Sequence, residues 1–205
     1  APIKYRRISR LGLGRELQEA QAMAQDQWQD AVDSLQLAEI RPEFIIEEVP
    51  APARLAPHAI ALALDAVNAD DEDLASGRFV VLHDPVGQET WDGTFRIVTF
   101  VKAPIENDVV TDGIFDEVAW SWLLECLSDN NASNHNLSGT VTRTVSRSFA
   151  DLQEREGESD LEIRASWTPD GNDLHAHFSG WLQLVEMCAG LQPLPPGVTA
   201  IAKSR

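Results

Sequence analysis

Two stretches in the middle of the chain alternate in side-chain type with the period of two that is typical of β-strands. In residues 79–84, Phe79, Val81 and His83 alternate with Val80, Leu82 and Asp84, and in residues 95–102 the set Phe95, Ile97, Thr99 and Val101 alternates with Arg96, Val98, Phe100 and Lys102. The segment between them contains residues that favour turns, namely Asp84, Pro85, Gly87, Asp92 and Gly93. We therefore predict two antiparallel strands, joined by a polar loop, at the centre of a sheet.

Apolar residues spaced three and four apart predict three helices, because this spacing lines one face of an α-helix. Proline and glycine bound them, since the residue before proline avoids the helical region and glycine favours the position just after a helix. The helices are expected from Leu13 to the Arg41-Pro42 pair, at residues 114–127 with Asp112 as cap, and from Asn172 or Asp173 to Gly190.

Four further strands are predicted around the central pair, at residues 44–49, 59–67, 140–149 and 161–168. The resulting order is α-β-β-β-β-α-β-β-α. Strands that are grouped, and do not alternate with helices, indicate an α+β fold with a six-stranded, mainly antiparallel sheet. We expect the three helices to pack on one face of the sheet, with the other face exposed or paired with a second subunit.

Charge is distributed unevenly along the 205 residues, whose formal net charge is −17. The first ten residues contain four basic side chains, Lys4, Arg6, Arg7 and Arg10, and no acidic one. We therefore divide the chain into a basic N-terminal arm at residues 1–12, which could be mobile or ordered, and a single α+β domain at residues 13–205. The acidic domain repels phosphate backbones, so we expect nucleic acid to bind only through the arm, if at all.

Two cysteines and the absence of long apolar runs predict a soluble, cytoplasmic protein. Cys126 and Cys188 lie in apolar helical contexts, where free buried thiols are expected and a single bridge between them is the alternative. No stretch approaches the roughly 18 uncharged apolar residues of a membrane span, and no apolar segment follows the basic N-terminus. We expect no membrane contact.

The loop between the two central strands is the first candidate site. It brings a histidine, carboxylates and an aromatic within ten residues, and His83, Asp84 and Glu89 could act in general acid–base chemistry. The alternative is that these residues end a strand and hold a turn.

His175 and His177, two apart on a helix, point to different faces, and we expect them at the helix cap and surface. The sequence contains no phosphate-binding loop, dinucleotide fingerprint, paired CxxC, HExxH or GxSxG motif, so we predict no cofactor and no metal site.

Arginines and tryptophans supply two further sets of candidates. Arg96, Arg143 and Arg164 lie on separate predicted strands, where they could converge on an anion or pair with acids such as Glu162 on neighbouring strands. The tryptophans could anchor an interface or pack in the core; the interface candidates are Trp91, Trp120 and Trp167.

Several runs between about Trp28 and Lys203 are distinctive: LAPHAIALALDAV, GRFVVLHDPVGQETWDGTFRIVTFVKA, WSWLLECL, SGTVTRTVSRSF, EIRASWTP and GLQPLPPGV. Together they resemble a family of actinobacterial proteins grouped as a domain of unknown function. The resemblance implies a bacterial cytosolic setting. No activity or catalytic residue is established for that family, so it assigns no role to any residue of this chain.

These observations favour a non-catalytic binding or protein-interaction module, a homodimer with an unidentified protein partner. The alternative hypothesis is an enzyme or small-molecule binder whose site combines the loop at residues 83–92 with the sheet arginines. A concave pocket that gathers His83, Arg96 and a carboxylate would favour the alternative.

Overall fold

The computed structural model describes residues 10–52, 54–106, 113–147, 149 and 158–193. Residues 1–9 of the predicted arm and the predicted cap Asp112 lie outside these residues. The elements are α1 (Arg10–Leu35), β1 (Phe44–Val49), β2 (His58–Val67), β3 (Asp73–Gln88), β4 (Gly93–Pro104), α2 (Phe115–Asp129), β5 (Asn134–Ser146), β6 (Glu158–Pro169) and α3 (His175–Cys188).

The six strands form one sheet in the order β1-β2-β3-β4-β6-β5, and every neighbouring pair is antiparallel. The element order and the α+β class are those predicted from the sequence. Consecutive strands are neighbours except at the end, where β6 inserts between β4 and β5. The edges of the sheet are therefore β1 and β5.

The main core lies between the helices and one face of the sheet. Alternate residues of the central strands, such as Phe79 and Ile97, are fully buried there with Leu123 of α2 and Trp181 of α3. We call this the helix side; the opposite surface, which none of the three described helices covers, is the helix-free face. Successive side chains of a strand point to opposite faces of the sheet. The parity of a strand residue, that is, whether its position along the strand is odd or even, therefore decides which of these two environments it occupies.

Two glycines allow tryptophans of the helices to lie directly on the sheet. A Cβ atom at Gly77 of β3 would lie 2.7 Å from Cζ2 of Trp181, and one at Gly139 of β5 would lie 2.7 Å from Cζ3 of Trp120. At Gly139 it would also collide with the carbonyl oxygen of Arg164. The close approach of α2 and α3 to the sheet thus depends on glycine, which has no side chain, at these two positions.

The element boundaries differ from the predictions in β3, α1 and β5. β3 runs from Asp73 to Gln88 and so includes part of the predicted loop, and α1 ends at Leu35, before the Arg41-Pro42 pair where its end was predicted. β5 begins at Asn134, before the predicted start of this strand at residue 140, and it is irregular between His135 and Ser138. An edge strand tolerates such polar residues because one of its sides faces water. α1 begins at Arg10, so the C-terminal end of the predicted arm is helical.

The predicted end of α3 is confirmed. Gly190 has a φ of +66°, and its N–H donates to the carbonyl of Met187 while the N–H of Leu191 donates to that of Glu186. This is the Schellman arrangement, in which a left-handed glycine satisfies the last carbonyls of a helix. At the other end, Asp173 Oδ1 accepts a hydrogen bond from the backbone N–H of His175.

Both cysteines are free thiols, as expected. Burial raises the pKa of Cys126 and of Cys188 to about 12, so neither is a ready nucleophile at neutral pH. Within the described residues, none of the helices has the length and apolarity needed to cross a bilayer.

Candidate functional site

His83 is completely buried on the helix side of the sheet, within a stack of rings. Its ring centroid lies 4.3 Å from that of Phe95 and 5.4 Å from that of His58, and its plane is within 6° of that of Trp28 at 5.9 Å. Neither ring nitrogen has a hydrogen-bond partner among the described residues. Burial, reinforced by the charge of His58, lowers the pKa of His83. The imidazole therefore packs as a neutral ring that attaches α1 to β3.

The carboxylates of the same loop do not meet His83. Asp84 has the opposite parity, and its Oδ1 accepts the N–H of Val86 at 3.1 Å while its Oδ2 accepts Nε2 of Gln88 at 3.2 Å. Glu89 is exposed in the turn that follows. The structure therefore places His83, Asp84 and Glu89 in three separate environments and does not bring them together as an acid–base site.

The three tryptophans proposed as interface anchors have different environments. Trp91 is buried on the helix-free face, where it packs with Ala61, Val80 and Leu82. Trp120 is half-buried above Gly139. Trp167 is fully buried, so it and Trp91 contribute to the interior of the chain.

Trp167 donates its Nε1–H to Nδ1 of His177 at 3.0 Å, and His177 is buried. We expected His177 near the helix cap or at the surface. It lies in the core because α3 packs flat against the sheet, with residues of its first turn facing β6. Burial lowers the pKa of His177 to about 4, so the imidazole is neutral at physiological pH.

Two of the three candidate arginines share the helix-free face. Arg96 donates to Ser166 Oγ at 2.7 Å and to Thr168 Oγ1 at 3.1 Å, and burial lowers its pKa. Arg164 lies 3.1 Å from Oε2 of Glu162, and its guanidinium carbon is 4.8 Å from the centroid of the Phe100 ring.

Arg143 lies on the helix side, away from the other two arginines. Its Nε is 2.7 Å from Oδ1 of Asp116, so this ion pair connects β5 to α2. Arg143 has the parity of Val141 and Val145, which already places it on the apolar side of its strand. Arg96 and Arg164 therefore share a face that Arg143 does not, but they lie four residues apart along the strands, and the guanidinium of Arg96 is already bonded to Ser166 and Thr168.

An open groove of about 430 Å³ crosses the helix-free face, and we refer to it as the sheet groove. A row of four residues, one from each of four neighbouring strands, crosses the middle of the groove. Arg78 of β3 pairs with Phe100 of β4, Phe100 pairs with Arg164 of β6, and Arg164 pairs with Thr140 of β5. We refer to these residues as the central row. The lining of the groove comprises Arg78, Val80, Val98, Thr99, Phe100, Ser138, Gly139, Thr140, Arg164, Ala165 and Ser166.

Arg78 is the residue of this groove that the sequence did not single out. It is exposed and forms no ion pair within the described part of the chain. It stands beside Phe100, whose other neighbour is Arg164. The groove therefore offers guanidinium groups on both sides of an aromatic ring, an arrangement that suits an anion attached to an apolar group.

A second polar cluster holds the β3–β4 connection against β5. His135 Nδ1 lies 2.6 Å from Oδ1 of Asp170, and its Nε2 lies 3.0 Å from the carbonyl oxygen of Asp92. These two acceptors favour the imidazolium, which donates from both nitrogens, and the Asp92 carbonyl followed by Asp170 raises the pKa of His135. Asn136 Nδ2 donates to the carbonyl of Trp91 at 3.1 Å. These contacts join segments far apart in sequence, so no local pattern signalled them.

Potential metal ligands are dispersed, and no group of three or more that could hold an ion occurs among the described residues. The chain matches no curated protein and no solved structure in our comparisons. A family model described as "Protein of unknown function (DUF3000)" matches residues 24–199. Because this match spans most of the chain, the protein belongs to that family of proteins of unknown function.

Proposed function

We propose that this protein is a non-catalytic binding module whose sheet groove recognises an acidic, extended segment of a partner protein. The observation that carries the proposal is the central row of the groove, in which Arg78 and Arg164 flank Phe100 on adjacent strands. The row places the guanidinium of Arg78, which is unpaired among the described residues, and the exposed guanidinium of Arg164, which is paired with Glu162, beside an apolar surface on an otherwise acidic protein.

Strand spacing sets the separation of the two guanidinium groups. Arg78 and Arg164 are two strands apart, or about 9–10 Å at the backbone, because neighbouring strands are about 4.8 Å apart. Side chains that point the same way on an extended peptide are about 6.8 Å apart, so the two flexible arginine side chains must lean towards each other to reach two such carboxylates. Guanidinium forks form two parallel hydrogen bonds to a carboxylate, which adds directional specificity to the charge attraction.

The floor of the groove complements this pair. Val98 and Phe100 remain partly accessible in the middle of a central strand, where an apolar side chain of the partner could be buried. Ser138, Thr140 and Ser166 border the floor and can hydrogen-bond to backbone groups. The groove is open and not enclosed, which favours a polypeptide segment that continues beyond it at both ends.

The chemistry of the lining supports binding over reaction. Its side chains are guanidinium, hydroxyl and apolar groups, whereas general acid–base catalysis most often uses imidazole or carboxylate. His83, the histidine of the central strands, faces the helix side. The groove's volume of about 430 Å³ is also within the range of small-molecule sites, so a small organic anion is the second candidate ligand.

The test uses fluorescein-labelled extended peptides that combine glutamates with a single phenylalanine, titrated with the full chain and followed by fluorescence anisotropy. Ion pairs between exposed groups are worth up to about 1 kcal/mol each, so the double variant Arg78→Gln/Arg164→Gln should bind roughly tenfold more weakly. The control is Arg147→Gln, which removes an exposed arginine beyond the end of β5.

Two outcomes oppose the proposal. Equal affinity of the double variant and the wild type would show that the peptide does not use the sheet groove. Saturable binding of citrate, with the same dependence on Arg78 and Arg164 but no binding of peptides, would replace the protein partner with a small organic anion.

A further inference from the structure

The two edges of the sheet differ in how they are protected against pairing with another strand. β1 has six residues, carries Glu47 and Glu48, and is followed by Pro50. β5 has thirteen residues with no proline and no acidic side chain, and within the described part of the chain only β6 pairs with it. Short strands, charges and prolines are the usual devices that block edge pairing. The β1 edge has all three, whereas the β5 edge has only the irregularity at its start and one charged residue, Arg143, which is paired with Asp116 of α2.

An apolar strip runs along the β5 edge on the helix side. Leu137 and Val141 pack partly on the core, and Val145 is 48% exposed. Trp120 of α2 lies above this strand, and Leu124, one turn further along α2, is 43% exposed. A partner that only added a strand would form hydrogen bonds with the free backbone groups of β5 but would leave this apolar strip exposed to water. The strip therefore indicates a partner that also has apolar side chains on the helix side of its pairing strand.

We infer that the β5 edge binds the β5 edge of a second copy of this chain, with the two strands antiparallel about a twofold axis at Val141. This register places Leu137 opposite the second copy's Val145 and Thr140 opposite the second copy's Thr142. Apolar pairs and threonine pairs are favourable across antiparallel strands. The two β5 strands would form a continuous sheet containing the six strands of each copy.

Charge makes the β5 edge the more favourable of the two edges for contact between two copies. Each copy carries a net charge of −17, so most approaches of two copies bring acidic surfaces together. β5 contains no acidic residue, and its arginine, Arg143, is paired with Asp116 of its own chain. Pairing through β1 would instead bring Glu47 and Glu48 close to the same residues of the other copy.

The inference does not depend on the proposed function, although it has a consequence for it. Ser138 and Thr140 line the sheet groove and also belong to β5. In the dimer the grooves of the two copies would meet at the axis on the helix-free face, giving a longer surface with twofold symmetry.

Sedimentation equilibrium of the full chain tests the inference with a matched pair of variants. The wild type should have twice the chain mass of 22.6 kDa, and Val145→Lys should reduce it to that of one chain. The control Ile45→Lys changes a residue of equal exposure, 50%, on the other edge, and should remain a dimer. Circular dichroism checks that both variants are folded.

Cysteine cross-linking provides a second readout. Val141→Cys would place a thiol next to its symmetry mate, so mild oxidation should yield a covalent dimer, whereas Ile45→Cys should not. A wild type that stays monomeric up to its solubility limit would overturn the inference. So would a dimer that persists in Val145→Lys and is lost in Ile45→Lys.

Discussion

Trp167 of β6 and His177 of α3 share a buried hydrogen bond in which the indole N–H donates to the imidazole Nδ1 at 3.0 Å. The bond requires a neutral imidazole, because a protonated Nδ1 cannot accept. Burial lowers the pKa of His177 from 6.5 in the unfolded chain to about 4 in the fold. The unfolded chain therefore takes up the proton first, so the stabilisation is complete above about pH 6.5 and is lost as the pH falls towards 4.

We predict that His177 makes the free energy of unfolding fall by roughly 3 kcal/mol between pH 7 and pH 4. Other titrating groups contribute as well, so the comparison is with His177→Gln, which keeps a hydrogen-bond acceptor but does not titrate. Urea unfolding across this pH range should show a smaller loss in this variant. His175→Gln, two residues earlier in α3, is the control. Identical pH dependence of His177→Gln and the wild type would contradict the prediction.

His83 is predicted to stabilise the fold by filling space between α1 and the sheet. His83→Ala should lower the free energy of unfolding by about 2–4 kcal/mol, because a fully buried ring is removed. His83→Phe should retain most of the stability, since it keeps an aromatic ring beside Phe95 and removes two unpaired nitrogens. Chemical denaturation measures both variants. If His83→Phe proved as unstable as His83→Ala, the imidazole nitrogens would have a role that packing does not explain.

Close contact between sheet and helix makes Gly77 sensitive to the smallest substitution. The methyl group of Gly77→Ala would lie 2.7 Å from the Trp181 ring, and we expect a loss of about 1–3 kcal/mol as the ring is displaced. Gly113→Ala is the control, because a Cβ there meets nothing within 4 Å. Thermal unfolding of the two variants compares them. Equal melting temperatures would indicate that α3 shifts without cost.

Arg41 connects the start of β1 to the end of α3. Its Nη1 lies 2.6 Å from Oε1 of Glu186 and donates to the carbonyl of Gln192 at 2.7 Å. We predict that Arg41→Gln lowers the free energy of unfolding by about 2–4 kcal/mol, because Glu186 is left mostly buried without a counter-charge. Adding Glu186→Gln should restore part of the loss. A double-mutant cycle, measured by urea unfolding, gives the coupling energy between Arg41 and Glu186. If the losses of the two single variants were simply additive, the ion pair would not stabilise the fold.

The odd or even position of a residue along its strand could be read from the sequence, and it predicts which residues share a face of the sheet. Alternation gave β3 and β4, and the shared parity of Phe79, Val81 and His83 already separates His83 from Asp84. The parity of Arg143 with Val141 likewise indicates the helix side. Grouping residues by chemical type ignores this information, which is why His83 and Asp84, and likewise Arg96 and Arg143, were considered together although they lie on opposite faces of the sheet.

Strand register was not accessible in the same way. The placement of Arg78 beside Phe100 depends on how β3 pairs with β4, and that of Arg164 depends on the insertion of β6 between β4 and β5. Such pairings join residues far apart in sequence and follow from the packing of the whole sheet. The contact between His135 and Asp170 has the same long-range origin.

The most direct test of the account is an NMR titration of the isotope-labelled full chain with the glutamate and phenylalanine peptide. Binding in the sheet groove predicts that the largest amide shifts occur at residues of its lining, including Phe100, Gly139 and Ser166, and that they disappear in Arg78→Gln/Arg164→Gln. Shifts that cluster instead on α1 or around the loop at residues 83–92, and that persist in the double variant, would contradict a binding module built on the helix-free face.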